Sequence, residues 1–181
     1  MKPYEYMLAT RETAIYPKEV ALPYLVLGLT GEIGELKETI YNGGDVLKEA
    51  GDCLWYVFRL ADEVYGSQLT DNDKTKEWKV FEKGISEFKE LPIDGMYNRA
   101  SKIAEIVKKS VRDNAGSVPE GNISDLVRCL NRVILLVSCV LNQENANTGH
   151  DYSLEQCAIA NIEKLMSRKQ RNVIQGSGDD R

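Results

Sequence analysis

The chain has 181 residues, 43% of them apolar and 28% charged, with a formal charge of −5. That length suffices for one domain with a real core, and the acidity argues against a nucleic-acid binder, which needs a broad basic surface. No apolar run approaches the roughly 20 residues that span a bilayer, and the opening MKPYEYMLATRE lacks the apolar stretch of a secretory signal. No membrane association and a cytoplasmic location are therefore expected. The four cysteines (Cys53, Cys129, Cys139, Cys157) have no CxxC spacing and three sit in apolar helical patterns, as buried reduced thiols do.

Taken in chain order, apolar spacing predicts an all-α protein, a single domain over 1–181. A short helix is expected from Tyr4 to Ala14, before Tyr16-Pro17. Leu22, Val26, Leu29, Ile33, Leu36 and Ile40 then step by 4,3,4,3,4, the seam of a packed helix. Asn42-Gly43-Gly44 breaks it, and Asp45 is suited to cap the next helix. Val46, Ala50, Cys53, Val57, Leu60 and Val64 repeat the same steps until Gly66. So short a break makes the two helices antiparallel neighbours. The polar stretch from Ser67 to Glu90 has no clear pattern. A third long helix is predicted from Tyr97 to Arg112, on Ile103, Ile106, Val107 and Val111. A Gly/Pro linker, Asn114 to Gly121, leads to a fourth from Ile123 to Leu141, on Leu126, Leu130, Val133, Val137 and Val140. A last helix runs from Ser153 to Arg168, and composition makes Gln175 to Arg181 a frayed tail.

A faint internal repeat relates the two long hairpins. Ile33-Gly-Glu35-Leu36 matches Ile103-Ala-Glu105-Ile106, and Asp52-Cys-Leu-Trp-Tyr-Val57 matches Arg128-Cys-Leu-Asn-Arg-Val133. In this register Glu32 meets Lys102, Glu35 meets Glu105, Glu49 meets Asp125 and Asp52 meets Arg128. True duplication and generic hairpin similarity explain the match about equally well.

The charge is unevenly distributed. From Glu32 to Asp52 six acids face two bases, whereas Glu163 to Arg171 carries one acid against Lys164, Arg168, Lys169 and Arg171. Glu32 and Glu35 are three apart, as are Glu49 and Asp52, so each pair lies on one helix face. Counted from the Gly43-Gly44 turn, Glu35 and Asp52 are level and all four carboxylates converge beside the seam. Such a cluster repels itself unless protons or a cation intervene, and oxygen-only donors favour Mg²⁺, or Mn²⁺ in its place. A di-iron bundle would need Glu-x-x-His on two helices; the one histidine, His150, sits in a loop segment. Gly28, Gly31, Gly34 and Gly51 lie inside helices around the acids, where each costs about 1 kcal/mol relative to alanine, as expected where something must approach closely.

Gly28 to Glu38 together with Lys48 to Tyr56 resembles the ExxE…ExxD pattern of MazG-like pyrophosphohydrolases, all-α enzymes related to the dimeric dUTPases. The flanks Thr13 to Pro17, Asn161 to Arg168 and Gly176 to Arg181 are also similar. The family pattern runs almost directly from the second helix into the Asn-x-x-Lys helix; here about 80 residues intervene. The resemblance implies that Glu32, Glu35, Glu49 and Asp52 hold Mg²⁺ against a nucleoside triphosphate. Metal-activated water would attack the α-phosphorus to give the monophosphate and pyrophosphate, with Glu35 as the expected base. It implies substrate contacts from Tyr56, Asn161, Lys164 and Arg168, and closure over phosphate by Asp180 and Arg181. A homodimer is expected, in which 71–149 is an inserted, degenerate second hairpin standing in for a partner subunit. The alternatives are a non-catalytic helical scaffold with the same fold, or a hydrolase of another pyrophosphate-containing substrate.

Overall fold

The computed structural model describes residues 1–83 and 91–174, and among them it contains helices and no strands. Seven α-helices follow in order: α1 (Pro3–Arg11), α2 (Ala21–Asn42), α3 (Val46–Tyr65), α4 (Asp71–Lys74), α5 (Pro92–Asp113), α6 (Glu120–Thr148) and α7 (Leu154–Gln170), with three short 3-10 turns between them. The protein is an all-α bundle. Among the described residues, no helix is long and apolar enough to cross a membrane.

The local chemistry of the helix ends is largely what the sequence predicts. Gly43 and Gly44 both adopt positive φ and separate α2 from α3. Asp45 Oδ1 accepts from the Lys48 amide at 3.0 Å, satisfying one of the donors that open α3. Ser153 and Gln156 form a reciprocal capping box on α7. Two boundaries depart from expectation by five residues or more. α5 begins at Pro92, five residues before the predicted Tyr97, because Pro at the first turn and buried Ile93 and Met96 extend its apolar face. α6 runs seven residues past Leu141, through polar Asn142 to Thr148, and stops where Gly149 turns left-handed at φ 78°. The expected fraying of Gln175 to Arg181 falls outside the described residues.

Helices α2 and α3 form one antiparallel hairpin, and α5 and α6 form the other. They stack with α2 on α5 and α3 on α6, while α1 and α7 cover another side of α3. That makes α3 the central helix, and its seam positions Val46, Ala50, Cys53, Val57 and Leu60 are buried. So are Leu29, Ile33 and Leu36 of α2, and all five predicted seam residues of α6. Each large aliphatic side chain withdrawn this way contributes about 1.5–3 kcal/mol. The predicted seams overreach at their ends: Ile40 and Val111, each in the last turn of its helix, are 41% and 50% exposed.

A buried ion network ties the segment after α1 to α3. Arg59, 4% exposed, bonds Asp62 and Glu63 at 2.6 Å each and donates to the Tyr16 hydroxyl at 2.9 Å. Arg11 reaches the same Asp62. Its consequence for the site is positional: Tyr16 is pinned beside Trp55, whose indole N–H donates to Thr13 Oγ1 at 2.9 Å.

Candidate metal centre

Three carboxylates meet where α2 faces the first half of α3. Glu32, Glu49 and Asp52 each bring one oxygen within 4.8 Å of the others. Glu35, the fourth expected member, is exposed and lies outside this group. Three residues along an α-helix turn through about 300°, so Glu35 points some 60° away from Glu32. On α3 the same offset still aims both acids inward, because α7 lies alongside. Glu35 nonetheless remains close enough for its charge to act on Glu32.

The three acids are held very differently. Glu49 is 7% exposed; its Oε1 accepts from Lys48 Nζ at 2.8 Å, while its Oε2 is buried with no hydrogen-bond partner. Such an oxygen costs about 1–3 kcal/mol unless a proton or a cation meets it. Asp52 is the opposite case. Lys164 Nζ donates to both of its oxygens at 2.6 Å, and Asn161 Nδ2 donates to Oδ1 at 2.8 Å. Glu32 has its carboxyl pushed up to about 8, first by burial and then by the charges of Asp52, Glu35 and Glu49, with Lys164 opposing. The cluster thus relieves its repulsion by retaining a proton on one acid and drawing an ammonium onto another.

Asn161 is fixed from both ends. The Tyr6 hydroxyl, fully buried on α1, donates to Asn161 Oδ1 at 2.9 Å, which sets the amide so that its nitrogen faces Asp52. With both ends engaged and 3% exposure, Asn161 holds the Asp52 carboxylate in place. Arg168 is likewise buried, at 6% exposure. Of Asn161, Lys164 and Arg168, spaced i, i+3, i+7 along α7, the first two reach Asp52.

Two glycines make these approaches possible. A Cβ on Gly51 would stand 2.9 Å from Asn161 Cβ and 3.3 Å from the Cys157 carbonyl, so α7 can lie this close only over a bare backbone. A Cβ on Gly28 would stand 2.0 Å from the Tyr56 ring, which therefore lies directly across α2. Gly31 is different: among the described residues nothing lies within 4 Å of its would-be Cβ, so no described helix packs closely there. Gly51→Ala is expected to destabilise the protein by about 1–2 kcal/mol, overpacking outweighing the gain in helix propensity. A thermal melt beside a Gly31→Ala control checks this; a Gly51→Ala variant as stable as that control would refute the packing role.

Tyr56 closes one side of the site as part of an aromatic wall. Tyr16 packs on Tyr24 and Trp55, Tyr24 on Tyr56, and Trp55 on Tyr56, with centroids 4.9–6.3 Å apart. Burial and a hydrogen bond to Tyr24 raise the Tyr56 phenol well above its ordinary range. Tyr6, Tyr16 and Tyr24 are the site residues that sequence reasoning misses. Spacing puts Tyr6 with Met7 and Thr10 on one face of α1, but nothing in it says that face meets α7. Cys53 and Cys157 are buried beneath the cluster, and burial pushes both thiols up, as expected of inert cysteines.

No protein-family model matches the chain, and no solved structure matches it. Gene 37 protein of Mycobacterium phage L5 is 40% identical over 87 residues, which is 48% of this chain and 71% of that protein. The chain belongs to the Gene 37 protein's family. Membership of the Gene 37 family carries no chemistry in its name, so the chemistry rests on the residues. What the arrangement can do follows from its donors: three hard oxygens on two helices suit a small divalent cation. The unpartnered Glu49 oxygen and the ammonium bridging Asp52 both mark the place as one that draws positive charge.

Proposed function

We propose that this chain is a Mg²⁺-dependent nucleoside triphosphate pyrophosphohydrolase of the MazG-like type, converting a (d)NTP and water to the (d)NMP and pyrophosphate. The observation that carries this reading is the Glu32–Glu49–Asp52 cluster, with its buried, unsatisfied Glu49 oxygen, opposite a lysine on a separate helix. Glu32, Glu49 and Asp52 would hold the ion, with Glu35 at its margin; Mn²⁺ would suit the same donors. A bound divalent ion supplies charge neutralisation for the triphosphate and a more acidic water.

The rest falls to the chain's own side chains. Glu35, exposed beside the cluster, is suited to take the proton of the attacking water. Lys164 exchanges its carboxylate partner for phosphate oxygens when substrate enters, as a flexible ammonium can. Asn161 and Tyr6 keep Asp52 oriented while that exchange occurs. The Tyr56 and Tyr24 rings offer a flat apolar surface for sugar or base, and they exclude water from one side of the cluster. In the same reading the α5–α6 hairpin takes the place of a partner subunit's hairpin, and two whole chains form the homodimer.

A panel of NTPs and dNTPs with Mg²⁺, resolved into mono- and diphosphates, pyrophosphate and phosphate, tests the proposal. Monophosphate plus pyrophosphate is expected, lost in Glu35→Gln. Folded protein that turns over no nucleotide with Mg²⁺ or Mn²⁺ would remove the enzyme reading and leave the helical scaffold.

A further inference from the structure

The second hairpin has a cleft of its own at the register of the first. It measures about 590 Å³, and its described lining comes from α5 and α6, with Arg99, Lys102 and Glu105 on one side and Asp125, Arg128 and Arg132 on the other. Four of these stand where the repeat puts Glu32, Glu35, Glu49 and Asp52 in the first hairpin, and Arg132 stands at the register of Tyr56. At the four register positions two acids remain, and Lys102 and Arg128 replace the other two. Four bases face two acids, and both acids are already engaged: Glu105 by Lys108 and Lys109, Asp125 by Arg128 at 2.6 Å.

We propose that this cleft binds a phosphate-bearing anion, up to the size of a nucleotide, without a metal ion. The first cluster needs a cation before any phosphate can enter; here the guanidinium and ammonium groups supply that charge directly. Guanidinium forks match phosphate oxygens in geometry as well as charge. The volume lies within the range of small-molecule sites, roughly 300–1,000 Å³. A concave, two-helix cleft on a chain of net charge −5 is too confined for a nucleic-acid duplex. Among the described residues the helix that roofs the first site, α7, contributes nothing to the lining of this one. The inference stands whether or not the first cluster hydrolyses nucleotides.

Calorimetric titration of the full chain with inorganic pyrophosphate, and separately with a nucleoside monophosphate, in EDTA at low salt, tests the proposal. Saturable binding by the wild type is expected, weakened about tenfold or more by Arg128→Glu and by Lys102→Glu, each of which restores an acid to its register position. Asp52→Asn is expected to leave that affinity unchanged. Both substituted side chains are exposed, and the milder Lys102→Gln, expected to weaken binding in the same direction, guards against misfolding. Tighter binding of pyrophosphate than of the monophosphate supports a bare oligophosphate as the ligand; the reverse order supports a nucleotide. Absence of saturable binding in EDTA, or equal weakening by Asp52→Asn and Arg128→Glu, would overturn the proposal.

Discussion

Glu49→Gln is expected to cut turnover on the order of 10³-fold, the scale reached when one electrostatic partner of a transition state is removed, and at the same time to stabilise the fold. The two effects share one cause. Glu49 is buried at 7% exposure with one oxygen unpartnered and two further carboxylates within 4.8 Å. An uncharged amide removes the repulsion and the unpaired charge together, and its carbonyl oxygen can still accept from Lys48, whose side chain is 21% exposed. A rise of about 1 kcal/mol follows, or some 2–4 °C in Tm for a chain of this size. Product chromatography and calorimetry on the same preparation check both halves. Wild-type turnover in the variant would exclude Glu49 from the ion's donors. A lower Tm would mean that the Lys48 pair outweighs the strain of the cluster.

Stability given up at a cluster of this kind is the physical trace of function that a sequence carries, and it explains which parts of this protein are legible without coordinates. Both seams of the α2–α3 hairpin are legible because burial forces a 4,3,4 spacing on the apolar residues. Its turn is legible because Gly43 and Gly44 need positive φ. The start of α5 is less so: Gly95 and Asn98 interrupt the pattern although Ile93 and Met96 are buried. The polar end of α6 carries no apolar period at all; the backbone ladder continues until Gly149 ends it. Within the site, the acid pairs follow from their spacing along single helices. Their convergence with Lys164, Asn161 and Tyr6 does not, because it depends on where α1 and α7 lie around α3, a fact of tertiary packing. For the same reason spacing alone set Glu35 level with Asp52. The side α7 takes around α3 instead leaves Glu35 exposed and outside the 4.8 Å group.

The altered charge of the second hairpin fits the same logic. Burial preserves Ile103, Leu126, Leu130 and Val133, all buried as their counterparts Ile33, Ala50, Leu54 and Val57 are, so its shape persists. Positions on the rim are under no such constraint. Lys102 and Arg128 there lie at the register of Glu32 and Asp52, and a four-helix core is built from two hairpins of differing surface charge within one chain.

Without metal, the protein is expected to lose stability as pH rises between about 4.5 and about 8, and Mg²⁺ is expected to flatten that slope. Glu32 has a folded-state value near 8 against an ordinary 4.5. Between those values the folded chain holds a proton that the unfolded chain has released. The resulting stability is fully present below the lower value and is lost as pH climbs through the upper one. After discounting for partial exposure, the loss is on the order of 2 kcal/mol, about 5 °C in Tm. A divalent ion binds only the deprotonated cluster, so its affinity should rise over the same interval and restore at pH 8 what deprotonation removes. Glu32→Gln imitates the protonated acid and supplies the control: its melts in EDTA should lack this slope and should gain little from Mg²⁺. Calorimetric melts of both proteins from pH 5 to 8.5, in EDTA and in Mg²⁺, read all of this at once. An identical slope in wild type and Glu32→Gln would show that the proton is held elsewhere. A wild-type Tm that Mg²⁺ leaves unchanged at pH 8 would remove the cluster as a divalent-ion site.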